Sequence, residues 1–253
     1  LHAKLAGANF TGANLENADF SKCDLKSVIM RNAILINTSI DLSNVDKENM
    51  AGAMTHLPMG PTAKDLPDSL ENLLYKHADW VNSDGSQGNP LDISGYDVRG
   101  TRVFAHSRVS LMKADGAILY GLNLTDAQMQ AVSFRNADLR NISAENADMR
   151  GVDLSGARLT NANMRNARFD PLVLRQQKII FANLSRAHLR YANLSGVCLR
   201  QARLVNADLS YANLLGADLT GADLTGANLE GARVNRSQRS IIGQDTAAVA
   251  WVD

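Results

Sequence analysis

Five histidines, two cysteines and a recurring aspartate are the residues of this 253-residue chain that could do chemistry. His2, His56, His77, His106 and His188 are scattered, and none stands in an HExxH or CxxC-type arrangement that could hold a metal. Cys23 and Cys198 cannot make a disulfide scaffold and point to a reducing, cytoplasmic setting. No GxGxxG, GxxxxGKS or GxSxG stretch is present, so phosphate cradles and nucleophile elbows have no support. Asp138, Asp148, Asp153, Asp208, Asp218 and Asp223 invite an acid–base or cation reading. They recur at one slot of a regular pattern, however, as expected of a short side chain that bonds to a turning backbone. The chain is therefore expected to have no catalytic residues, no cofactor and no metal, and not to be an enzyme.

The elements that position these residues follow from composition and period. Apolar residues make up 45% of the chain but aromatic ones only 5%, so the core must be built from Ala, Leu and Met. Twenty-six basic side chains balance 26 acidic ones, which argues against a polyelectrolyte partner of either sign. No stretch of about 18 apolar residues predicts a membrane span, and no signal peptide is visible. Leu1 already lies inside a repeat, so an upstream segment or another chain is expected to cover that end.

The period is five. Ala212-Asn213-Leu214-Leu215-Gly216, Ala217-Asp218-Leu219-Thr220-Gly221, Ala222-Asp223-Leu224-Thr225-Gly226 and Ala227-Asn228-Leu229-Glu230-Gly231 each read Ala, Asn or Asp, Leu, a variable residue, Gly. With the Leu position as centre, 26 units run from Val109 to Val234 without a slip. Three more centre on Ile93, Val98 and Val103, with one extra residue before Val109, and ten run from Leu5 to Met50. Five fits neither a helix of 3.6 residues per turn nor a strand of period two. It demands one bulky and one small inward residue per unit and a corner after each, so that four units close a square coil.

This resembles the pentapeptide-repeat family over about residues 3 to 52 and 91 to 236. The resemblance implies an all-β fold, the right-handed quadrilateral β-helix. Coils stacked about 4.8 Å apart would make a rod roughly 30 Å long from the 26 units. Residues twenty apart should then share a column, placing Pro171, Tyr191 and Tyr211 in one line and Arg150, Asp170 and Arg190 beside it.

Between Met54 and Pro90 the frame is lost. Leu66, Leu70, Leu73, Leu74, His77 and Val81 fall at helical spacing, with Asp68 and Glu71 as a capping box. The expected organisation is N-terminal coils over 1–52, a Pro-rich loop and amphipathic helix over 53–90, the main solenoid over 91–236, and a cap or tail over 237–253. One continuous stack with the helix packed on its side is expected, two rods being the alternative. The tail's Ile241, Ile242, Val249, Trp251 and Val252 are expected to cap the last coil, or to make a homodimer through a solenoid end.

What remains is surface. From Arg158 to Arg203 nine basic side chains (Arg158, Arg165, Arg168, Arg175, Lys178, Arg186, Arg190, Arg200, Arg203) face one acid, Asp170. Ile180 and Phe181 break the polar outward pattern beside this belt, in a unit where Gln177 replaces the inward Ala, and Tyr191 and Tyr211 lie close by. Basic, apolar and aromatic residues together have the composition of a protein contact, the alternative being a locally distorted coil. The expected function is a rigid, non-enzymatic protein-interaction scaffold. Some family members mimic DNA toward gyrase, and the belt could meet phosphates directly. Mimicry needs a continuous acidic surface, and only two tyrosines could stack on bases, so neither is preferred.

Overall fold

A computed structural model describes residues 3–43, 45–238 and 249–252 of the chain. Contacts divide the chain into two units, Leu1–Met59 and Gly60–Asp253.

Each unit is built from parallel rungs rather than long strands, because a corner after every fifth residue leaves room for only one bridge per side. In the first unit the rungs are Lys4 with Asp24, Asn9 with Ile29, Asn14 with Ile34 and then Met54, and Asp19 with Ser39. Leu25, Val28, Met30, Ala33 and Leu35 form its buried centre, with Leu5, Phe10, Leu15 and Phe20 half-buried.

In the second unit four ladders mark the four sides. One runs Ser133, Asp153, Asn183, Arg203, Asp223, the next Asp138, Arg158, His188, Asp208, Asn228. The third runs Ser143, Asn163, Asn193, Asn213, Arg233, and the fourth Gln128, Asp148, Arg168, Cys198, Asp218. Inside, the Leu, Met and Phe centres and the Ala slots are stripped of solvent, from Phe104 to Leu214. The second corner residue takes a left-handed backbone, as at Asn136 (φ 55°), Asn161 (60°) and Gly216 (72°). Only glycine, and less easily asparagine, adopts that conformation at little cost, which is why they fill most of these slots, with Leu111, Ala131, Arg186, Tyr191, Gln201 and Tyr211 among the exceptions.

The ladders correct the unit count. From Arg108 onward bridges join residues twenty apart until Asp153, Arg158, Asn163 and Arg168, which pair with Asn183, His188, Asn193 and Cys198, thirty apart. Ten residues therefore leave the coil. Leu172–Val173 (β1) and Ile179–Ile180 (β2) pair antiparallel as a hairpin, with Leu172 opposite Ile180 and Val173 opposite Ile179. Leu174 and Ile179, expected as inward centres, are exposed. The hairpin rests on the corner at Gly151, where an added Cβ would stand 3.1 Å from Leu172 Cβ and 3.2 Å from Ile180 Cγ2. The columns change accordingly. Tyr191 lies above Asn161, whose N–H donates to Arg190 O (3.1 Å), and Pro171 is not in line with the tyrosines. A smaller slip also moves: Phe104, not Val103, is the inward centre, so the extra residue precedes Phe104 rather than Val109.

The helix α1 spans Leu70–Asn82, four residues later than the apolar spacing begins. Its N-cap is Ser69, whose Oγ accepts from Asn72 N, in place of the expected Asp68–Glu71 box. Asp68 instead accepts from Lys76 Nζ (2.7 Å), Asn72 Nδ2 and Ser69 N, which hold its carboxyl down to about 2. Leu66 lies outside the helix, after a 3₁₀ turn, Ala63–Asp65, that carries its own capping box with Thr62.

This segment closes the start of the main stack rather than lying along its side. Thr62 adds a rung below Asp97, and Pro61 O accepts from Asp97 N. Leu70 enters the core and Leu66, Leu73 and Leu74 pack on it. His77, fully buried, bonds two backbone groups at the start of the main stack. Its Nδ1 accepts from Leu91 N (2.9 Å) and its Nε2 bonds Ser110 O (3.0 Å), with Trp80 stacked alongside.

At the other end Arg233–Asn235 (β3) pairs in parallel with Ala250–Val252 (β4), and Val249 is buried in the core. Gln238 Nε2 donates to Leu214 O (3.0 Å) and Ala217 O (2.8 Å), satisfying carbonyls that the stack leaves open. Ile241 and Ile242 lie outside the described residues.

Candidate interaction surface

The aspartate slot holds the backbone. Asp208, Asp218 and Asp223 each accept from the N–H two residues ahead, at 3.0 to 3.1 Å. The hydroxyl of Thr220, then its N–H, keeps the Asp218 carboxyl below its ordinary range, and Thr225 does the same for Asp223. Where the second residue ahead is arginine, the pair closes into a fork. Arg140 Nη2 lies 2.6 Å from Asp138 with both side chains buried, and Arg150 makes the same contact with Asp148. These carboxylates are spent on structure. Among the described residues no group of three or more His, Cys, Asp or Glu is placed to hold a metal ion. Burial raises the Cys198 thiol above its ordinary range, away from the thiolate form.

The nine basic residues of the belt and the four apolar and aromatic residues beside it do not share one face. Arg203, Arg158 and Arg168 stand on three different ladders. Arg186 lines an open groove with Arg135, Ser155 and Ser185. Arg165 lies on the corner that follows the Asn163 rung, and Arg200, 3.8 Å from Asp218, on the corner that follows Cys198. Arg168 is tied to Asp170 at 3.0 Å. The belt is a ring of charge around the stack.

Two groups do come together. Arg190, Tyr191 and Tyr211 form the first. The two rings stack with centroids 5.3 Å apart, and the Arg190 guanidinium lies 4.9 and 5.2 Å from them. Both tyrosines sit in left-handed corners, at φ 60° and 58°, and the Tyr211 ring lies over Gly231, where a Cβ would meet it at 2.6 Å. Tyr211 Oη donates to Glu230 (3.2 Å), and that carboxylate raises the phenol above its ordinary range. The second group is the hairpin. Leu172 and Ile180 face Gly151, while Val173 (65% exposed), Ile179 (49%) and Phe181 (37%) face outward. Arg175 and Lys178 flank its turn, and Arg175 meets Asp84 from the loop after α1 at 3.0 Å. The hairpin was hidden because its length is two whole units. The available signal was the loss of Ala at both small slots, where Leu172 and Gln177 stand, and the two unbroken apolar triplets.

A stack of square coils with projecting groups at its corners defines a β-solenoid. The chain belongs to the pentapeptide-repeat family, whose sequence profile matches in eight copies over residues 2–40, 112–141, 133–170, 173–204 and 202–237. Its coils are those of the right-handed quadrilateral β-helix. Among solved structures, HetL, a pentapeptide repeat protein involved in heterocyst differentiation regulation from the cyanobacterium Nostoc sp. strain PCC 7120, is 25% identical. That match covers 92% of this chain and 87% of HetL, with a TM-score of 0.43. QnrB1, a plasmid-mediated fluoroquinolone resistance protein, is 20% identical over 64% of this chain and 90% of its own, at 0.37. Rfr23 from the cyanobacterium Cyanothece 51142 is 20% identical over 58% and 65%, at 0.23. No curated sequence matches. Among the described residues no helix is long and apolar enough to cross a membrane.

Proposed function

We propose that the protein is a non-enzymatic interaction scaffold that displays anchor side chains on a rigid stack to a protein partner. The observation that carries this reading is the Arg190, Tyr191 and Tyr211 group. Bulky residues at left-handed corners cost roughly 1–2 kcal/mol each relative to glycine. Here two occur on successive coils, half-exposed, with an arginine stacked on both. Aromatic and arginine anchors of this kind supply most of the affinity in protein interfaces.

A DNA-mimicking role would need a continuous acidic side. Each of the four ladders carries a base, at Arg203, Arg158, Arg233 and Arg168, so that reading finds no support in the surface.

The test is capture of partners on the immobilised protein, followed by affinity measurement for the recovered partner. Tyr191→Ala and Tyr211→Ala are each expected to cost about 1–3 kcal/mol of binding while the circular dichroism spectrum stays unchanged. Partners that bind both variants as tightly as the native chain would sink the assignment of the tyrosine corner.

A further inference from the structure

Alternation of apolar and polar residues marks a strand with one face in water, and an unbroken apolar run marks one covered on both faces. The hairpin carries two such runs, Leu172-Val173-Leu174 and Ile179-Ile180-Phe181. One face is covered, by the corner at Gly151. The other presents Val173 and Ile179, cross-strand partners, together with Phe181. Each strand also has one edge that no strand among the described residues pairs.

Three observations choose the occupant. The exposed patch is four side chains, counting Leu174, far short of the roughly 800 Å² per partner that a stable dimer buries, so a second folded copy is a poor fit. The turn is Arg175-Gln176-Gln177-Lys178, so the tip is polar and the apolar residues lie along the flank. That geometry suits a strand laid alongside better than insertion into a lipid surface. The hairpin's own charges are Arg175, which is paired with Asp84 at 3.0 Å, and Lys178, which is exposed, with no acid between Pro171 and Phe181.

We infer that the hairpin is a docking site for an extended, acidic segment of a partner protein, which adds to it as a third strand. The backbone bonds of the incoming strand supply affinity, its apolar side chains continue the Val173 and Ile179 face, and its carboxylates meet Lys178. This rests on the scaffold reading but names a different element from the tyrosine corner, so the two can fail separately.

The probe is a fluorescein-labelled peptide of alternating Glu and Val, read by anisotropy against the full chain. It is compared with a Lys–Val peptide and with a Glu–Val peptide interrupted by proline, which cannot complete a ladder. The Glu–Val peptide is expected to bind at least roughly tenfold tighter than either control, and the Val173→Ser/Ile179→Ser double variant to lose about the same factor. Lys178→Glu, at an exposed position outside both strands, is expected to narrow or reverse the preference for Glu over Lys, and serves as an independent arm should the double variant unfold. No binding by the Glu–Val peptide, or equal binding by all three, overturns the proposal. So does sedimentation with phosphatidylserine–phosphatidylcholine vesicles that the double variant abolishes, which would make the face a lipid contact. Protein partners lost with Tyr191→Ala alongside a silent peptide would leave the scaffold reading standing and remove this one.

Discussion

His77 shows how one side chain satisfies backbone groups where a stack begins. Elsewhere in the stack a small-slot N–H like that of Leu91 bonds to the carbonyl three residues back, and a corner carbonyl like that of Ser110 accepts from the coil before; here the neutral imidazole serves the first as acceptor and bonds the second. The ring makes its polar contacts to backbone groups and stacks on Trp80, with no charged partner facing it from α1 or the first coil. Burial therefore lowers its pKa below the ordinary 6.5. A protonated ring has no acceptor left for Leu91 N. The unfolded chain binds the proton first as pH falls, so stability is fully present above about pH 6.5 and is lost on acidification toward the depressed folded value, by at most about 1.4 kcal/mol per pH unit. Trp80 fluorescence during denaturant unfolding at pH 7.5 and 5.5 reads this directly. His77→Gln, which keeps a donor and an acceptor but does not titrate, is expected to flatten the slope over that window. An unchanged slope would place the acid sensitivity elsewhere. Helical spacing in the sequence located His77 on the helix, but its role depends on where the stack begins, which no local pattern states.

The hairpin is the element at which sequence and structure part. Outside it pentad counting found the inward centres of the main stack except at Val103, where Phe104 turns in instead, because Leu and Ala at fixed spacing are a direct image of what the coil interior accepts. It also counted Leu174 and Ile179, since a frame of five cannot register an excursion of ten. The same arithmetic gives a prediction. Removing Pro171–Ile180 joins Asp170 to Phe181-Ala182-Asn183-Leu184, which is a regular unit with Ala at the small slot. With Phe181→Gly at the resulting corner, the shortened chain is expected to keep its circular dichroism spectrum and its unfolding midpoint within a few degrees. Collapse of the fold would show that the hairpin, through Gly151 or the Arg175–Asp84 contact, holds the stack together.

Across the main stack, charge is arranged around rather than along. The excess of arginine between residues 158 and 203 was plain in the sequence, but its use depends on which side each residue occupies, and the hairpin shifts every column by half a coil. With Arg203, Arg158 and Arg168 on separate ladders, a straight duplex laid on one side meets only two or three of the belt's bases. Non-specific DNA binding is accordingly expected to be weak, with a slope of log affinity against log salt no steeper than about −2 to −3. Anisotropy of a labelled duplex between low and physiological salt measures it. A slope near −8 would mean that the ring closes on nucleic acid after all.

The hairpin leaves and rejoins the stack at a single corner, so its length is uncoupled from the rise of the coils. Everything downstream keeps the same phase whether those ten residues wind inward or project. This independence requires no repair of the frame on either side. It makes the corner above Gly151 a natural splice point, where arms of other lengths and sequences can be exchanged while the ladders on either side hold their register.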